Sequence, residues 1–147
     1  MMKKNIALVL AAVCLGGAFI GTAFAESPPS GSYQSSCGNI TWNGTNLSAQ
    51  CFTDMHDAPM YMTTMIINTN YQTLQNAQPW NGHGNLLAAG ITPGGTWYTS
   101  CYGSVYDVAL HLLHSSCKGP DGIPYPAAIQ ASASDNVENI NGTLVKE

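Results

Sequence analysis

The 147-residue chain carries four Lys or Arg against eight Asp or Glu, a formal net charge of −4. So few positive charges argue against a nucleic-acid or anionic-membrane partner, because both need clustered Lys and Arg. With 45% hydrophobic residues the low charge does not mean disorder, so Asn, Ser, Thr, Gln and Gly must solvate the surface.

Residues 1–25 read as a secretory signal peptide. Lys3 and Lys4 form a basic start, an apolar run follows over 6–20, and Ala23-Phe24-Ala25 is a cleavage site before Glu26. The apolar run is shorter than the roughly 20 residues a membrane span needs. No membrane span is expected in the mature chain, and the expected location is secreted or periplasmic. Cys14 could suggest a lipid attachment, but Val13 before it is too bulky for that processing. Cleavage after Ala25 would remove Cys14 and leave Cys37, Cys51, Cys101 and Cys117. An even set of cysteines in an oxidising compartment reads as structural disulfides. The remaining length suits one domain with a modest core.

Residues 26–30, with Pro28-Pro29, form a polar lead-in. Strand material follows over 31–51: Ile40-Thr41-Trp42 is β-branched and aromatic, Asn43-Gly44 is a hairpin turn, and residues 46–50 alternate around Leu47 and Ala49. Cys37 and Cys51 end the arms of this hairpin, where an antiparallel pairing brings them together. Residues 52–74 are less legible. Asp54, Asp57 and Pro59 suggest a turn, and 60–68 (MYMTTMIIN) an apolar strand whose methionines fill core. Residues 76–84 (NAQPWNGHG) read as a loop, 86–91 as a short apolar piece, and 92–95 as a turn. Residues 105–113 favour a strand. Residues 118–126, with three prolines and two glycines, are expected to be irregular. A short strand over 127–133 with Ile129 inward, a turn at Asn141-Gly142 and a strand around Leu144 complete the chain.

An internal echo organises these elements. Gly31, Tyr33, Ser36 and Cys37 recur as Gly95, Trp97, Ser100 and Cys101, and the closing Cys51 recurs as Cys117 with two residues inserted in the second loop. Such repetition points to pseudo-symmetric halves, with Cys101 paired to Cys117 in the second.

GSYQSSC at 31–37, NLSAQC at 46–51, GTWYTSC at 95–101, Cys117 and ENINGTL at 138–144 together resemble the cyanovirin-N homology domain family. The resemblance covers residues 30–147. It implies an all-β, elongated, pseudo-symmetric fold of two repeats, about 31–90 and about 95–147, each a three-stranded sheet plus a hairpin. It also implies that the halves exchange elements, so that neither folds alone. The implied activity is binding of mannose disaccharides on high-mannose glycans, without catalysis, metal or cofactor, by a monomer or an exchanged dimer.

Carried over by position, the first sugar site comprises Ser32, Ser35, Ser36, Phe52, Thr53 and Asp54, with Asn139 and Asn141 opposite. The second and weaker site comprises Asn76, Gly95, Thr96, Thr99, Ser100 and Lys118. Uncharged donors and acceptors suit a ligand that is all hydroxyls, each bond adding about 1 kcal/mol net. At both sites, where the family's tight binder carries charged or long polar side chains, this chain holds Ser, Gly, Phe52 or Pro120 at several positions. The second site is the poorer in side-chain donors, so the first is the better candidate. The same Ser and Asn residues would equally serve to solvate turns. Trp80 and Trp42 could stack on a sugar, although packing is the commoner use of a lone Trp.

Other chemistry finds little support. His111 and His114, three apart on a strand, would face opposite sides. His56 with Asp54 and Asp57 is at most a weak metal cluster, and no hydrolase or phosphate-loop motif occurs. Paired cysteines are not nucleophiles. Asn39, Asn43, Asn46 and Asn141 match the glycosylation pattern, which is incidental if the short Lys-rich leader is bacterial. The expected function is that of a secreted, non-catalytic lectin, a carbohydrate-binding protein for mannose-containing glycans. The alternative is a secreted protein-interaction module on the same scaffold without sugar binding.

Overall fold

The computed structural model describes residues 26–56 and 58–147; the expected signal peptide, Cys14 and Asp57 lie outside the described residues. The expected first hairpin is present. β1 (Cys37–Trp42) and β2 (Leu47–Phe52) pair antiparallel with Cys37 opposite Cys51. Their turn is fixed by Asn43, whose Oδ1 accepts from the N–H groups of Thr45 and Asn46, while Gly44 takes φ 97°. Along β2 the side chains alternate, so Leu47, Ala49 and Cys51 are buried while Gln50 and Phe52 face outward. β3 (Tyr61–Ile67) adds antiparallel to β2. Its methionines are less buried than the sequence suggests: Met60 is exposed, and Met62 and Met65 are half-buried.

The second half repeats this order. β7 (Cys101–Asp107), β8 (Leu112–Lys118) and β9 (Pro124–Gln130) form an antiparallel triple with Cys101 opposite Cys117. Both cysteine hairpins bulge just after the disulfide, with positive φ at Asn39 in one and at Gly103 in the other. Both disulfides form as expected, Cys37–Cys51 and Cys101–Cys117. β3 and β7 then pair in parallel, joining the triples into one six-stranded sheet of order β1-β2-β3-β7-β8-β9.

The prolines of 118–126 do not prevent a strand. β9 starts at Pro124 and includes Pro126. It is the edge of the sheet, bonded only to β8, so a proline's missing N–H need not break a ladder. The sequence also gave no sign of α1 (Tyr71–Ala77), too short to show a helical period. Its start is set by Asn70, whose side chain accepts from Thr73 N–H, and its end by Gln78 in the left-handed region.

Two short hairpins complete the fold. β4 (Trp80–Asn81) pairs with β5 (Leu86–Leu87), and β10 (Asn136–Ile140) with β11 (Thr143–Lys146). β6 (Gly94–Gly95) runs parallel to β10. Each hairpin docks on the turn that opens its own half, whereas the resemblance implies exchanged elements, although β4–β5 also reaches the second half through Gly103 N–H to Gly84 O and through Leu87. Tyr33 N–H donates to Pro79 O just before β4, and Thr96 N–H donates to Val137 O in β10. The closeness is steric as well as polar: a Cβ on Gly31 would lie 2.1 Å from Pro79 O, and one on Gly95 would lie 2.0 Å from Val137 O.

Two apolar cores follow. Tyr33, Leu47, Ile66, Leu74 and Leu86 lie in one, and Trp97, Tyr106, Leu113, Val137 and Leu144 in the other. Adjacent Leu86 and Leu87 enter different cores, so β5 ties the halves together. Ile129 packs against the second core half-buried, and Leu144 lies within it.

Asp107 gives the second half a pH dependence. Its Oδ1 accepts from Ala109 and Leu110 N–H, in the role Asn43 has in the first half, and Oδ2 accepts from Asn68 Nδ2. The Asn68 hydrogen bond, helped by the two backbone donors, holds its pKa below the ordinary carboxylate value against the opposing effect of burial. A depressed folded-state pKa contributes stability above the unfolded value near 3.9, and that contribution is lost as pH falls through the folded one. Stability measured by denaturant titration between pH 6 and 3 should therefore fall less steeply for Asp107→Asn than for the wild type.

Candidate functional site

The residues expected to bind ligand gather around the two cysteine loops, but in a different grouping. Asn81 Nδ2 donates to Ser36 Oγ at 3.1 Å and to Phe52 O at 2.9 Å, and its Oδ1 accepts from Gly84 N at 2.8 Å. Asn139 repeats this latch in the second half, donating to Ser100 Oγ and Lys118 O and accepting from Gly142 N, each at 2.9 Å. The hairpin turns NGHG (81–84) and NING (139–142) are thus a second internal echo. The expectation that Asn139 and Asn141 face Ser36 is corrected: Asn139 is bound at the second loop, Asn141 lies in the turn beside it, and Asn81 stands opposite Ser36. Three hydrogen bonds tie the Asn139 side chain to the second loop and to its own turn.

Asn76 also moves. It lies on α1, where its Oδ1 accepts from Gln72 Nε2, and this helix sends Leu74 into the first core rather than reaching the second loop. Gly95, at φ 97°, is the backbone partner of Val137. Thr96 is exposed, and its carbonyl accepts from Thr99 N–H and Thr99 Oγ1. Ser100 and Lys118 O are both engaged by Asn139. Beside them the Tyr125 ring closes over Gly119, where a Cβ would lie 2.5 Å from it, and Tyr125 OH donates to Asp121 at 2.6 Å.

The first half is open. A groove of about 560 Å³ runs along the cysteine loop, lined among others by Ser35, Ser36, Asn39, Gln50, Phe52 and Tyr61. No ionised side chain lines it. Ser35 Oγ donates to Ser32 O at 2.8 Å, keeping an acceptor on an exposed hydroxyl, and Ser32 itself is exposed. Asn39 Nδ2 donates to Gln50 Oε1 at 2.6 Å, which leaves Asn39 Oδ1 as an acceptor and Gln50 Nε2 as a donor. Phe52 and Tyr61 pack edge-on with centroids 5.8 Å apart, yet remain 41% and 56% exposed. Apolar faces next to fixed amides and hydroxyls are what a sugar ring requires.

Across Ser36 and Phe52 lies a second hollow of about 250 Å³, bounded by Asp54, Trp80, Asn81 and His83. Asp54 shares a hydrogen bond with His83 Nδ1, which lowers the pKa of the exposed carboxylate. The pair clamps the segment after β2 to the β4–β5 turn. Among the described residues no group of three or more His, Cys, Asp or Glu is placed to hold a metal ion. Asn39, Gln50, Tyr61, Asn81 and His83 were missed from the sequence. The NGHG echo of NING was the one signal that could have pointed to Asn81.

No family model and no curated protein matches the chain. Solved structures similar to it include the crystal structure of a MoCVNH3 variant in complex with (N-GlcNAc)4, at 14% identity over 82% of this chain and 100% of that one, with a TM-score of 0.23. A designed cyanovirin-N homolog lectin matches at 18% identity over 79% of this chain and 99% of that one, TM-score 0.24. The Gibberella zeae cyanovirin-N homolog matches at 18% over 78% and 95%, TM-score 0.23. These are homologs of the family the sequence resembles, and likeness at this level says nothing of ligand or site residues.

Proposed function

We propose that the protein is a secreted carbohydrate-binding protein that acts without catalysis, through the groove beside Cys37–Cys51. The observation that carries this reading is the groove's lining of hydroxyls, side-chain amides and two exposed aromatic rings, with no ionised group among them. Ser35, Ser36, Asn39 and Gln50 supply hydrogen bonds, while Phe52 and Tyr61 offer apolar faces to a pyranose. The second loop is the poorer candidate, since its Ser100 and Asn139 hydrogen-bond one another and Tyr125 closes over Gly119. Mannose-containing glycans are the expected ligands.

A glycan array probed with protein beginning at Glu26 tests this: signal on mannose-containing glycans is expected, and its absence at high protein concentration would sink the mannose assignment. Phe52→Ala should weaken any sugar bound by about tenfold, the equivalent of losing about 1.4 kcal/mol, with the melting temperature little changed because the ring is exposed.

A further inference from the structure

The proposed sugar groove does not end at the cysteine loop. Its hollow shares Ser36 and Phe52 with the hollow bounded by Asp54, Trp80, Asn81 and His83. That hollow in turn shares Trp80 with a third, of about 320 Å³, between the β4–β5 hairpin and residues 92–95, where Tyr98 forms part of the wall. Three hollows therefore lie in sequence, with aromatic rings at each: Phe52 and Tyr61 in the first, Phe52 and Trp80 in the second, Trp80 and Tyr98 in the third.

The rings are held in place. Trp80 and Tyr98 meet edge-on at 5.4 Å, and His83 stacks on Tyr98 at 6.2 Å. Gly82 sits beneath them, and a Cβ there would lie 3.1 Å from each of the Trp80 and Tyr98 rings. The Asn81 latch fixes the neighbouring backbone to Ser36 and Phe52. Charge along the track is low: Asp54, hydrogen-bonded to His83, is the one carboxylate among the lining residues, and no Lys or Arg lines any of the three hollows.

Spaced aromatic rings, with amides and hydroxyls beside them and no positive charge, suit a neutral chain that offers an apolar face and polar edges at every unit. We infer that the ligand is an extended linear oligosaccharide, bound along all three hollows by successive pyranose units, rather than a single terminal sugar or disaccharide. This rests on the carbohydrate-binding reading above and specifies its ligand.

The test is calorimetric titration of the full mature chain with two linear series of two to six units, α-linked mannose and β-1,4-linked glucose. Affinity in at least one series should rise at least about tenfold from dimer to hexamer, as added units reach further rings. Trp80→Ala and Tyr61→Ala, at the middle and at one end of the track, should each lower hexamer affinity several-fold, with thermal melting confirming that both fold. A hexamer bound no more tightly than the dimer would overturn the extended track and leave the sugar-binding reading standing. So would a folded Trp80→Ala that keeps full hexamer affinity. No binding in either series, joined to a blank glycan array, would overturn both.

Discussion

Replacing Asn85 with alanine should lower the free energy of unfolding by about 3 kcal/mol or more, the largest loss expected from a single substitution at a polar site here. Asn85 is fully buried. Its Nδ2 donates to Gly82 O and to Cys101 O, both at 2.8 Å, and its Oδ1 accepts from Ser104 N at 3.1 Å. Thr64 extends the network, donating to Ser104 O and accepting from Leu86 N, both at 2.9 Å. These bonds tie the β4–β5 hairpin to β7 and β3 to β7, across the seam between the halves. Alanine removes all three side-chain bonds: Gly82 O still accepts from the residue-85 N–H, while Cys101 O and Ser104 N–H lose the Asn85 side chain. A buried backbone group left unpaired costs about 1–3 kcal/mol before relaxation. Asn85→Asp should be worse, since an aspartate donates to neither carbonyl and adds a buried charge. Urea unfolding checks this; a loss below about 1 kcal/mol would mean that the seam is held by other contacts.

Reducing both disulfides should have the second large effect. Cys37–Cys51 and Cys101–Cys117 close sequence separations of 14 and 16 residues. Each should contribute about 3 kcal/mol through the entropy of the unfolded chain. Together that is a large share of the roughly 5–15 kcal/mol by which ordinary domains are stable. Reductant should therefore leave the protein largely unfolded by circular dichroism. The double variants Cys37→Ala/Cys51→Ala and Cys101→Ala/Cys117→Ala should each melt well below the wild type. Non-reducing peptide mapping should recover these two pairs, and a pair joining the halves would contradict the symmetric arrangement.

The strands and disulfides were legible because their signals are local. Asn43-Gly44 marks a hairpin, alternation at Leu47, Ala49 and Cys51 marks a half-buried strand, and the duplicated Ser-Cys loops mark the repeat. What failed depends on contacts far apart in the chain. Which Ser-Cys loop each hairpin latches is decided by Asn81 and Asn139 meeting Ser36 and Ser100, and the residues forming those contacts look alike in both repeats. Position alone could not show that Asn139 belongs to the second loop. The edge placement of β9, which lets Pro124 and Pro126 sit in a strand, is likewise a property of the sheet. The groove was half legible: Ser35 and Ser36 stood out, but Gln50 and Tyr61 enter it only because β2 and β3 pair with Phe52 opposite Tyr61.

The most direct test of the central claim is an NMR titration of isotope-labelled protein beginning at Glu26 with a linear mannose oligosaccharide, following backbone amides. The account predicts saturable shifts concentrated at Ser35, Ser36, Asn39, Gln50, Phe52 and Tyr61, with the amides of Ser100, Lys118 and Asn139 little moved. Shifts confined to the second loop would contradict it, as would a spectrum unchanged by the sugar.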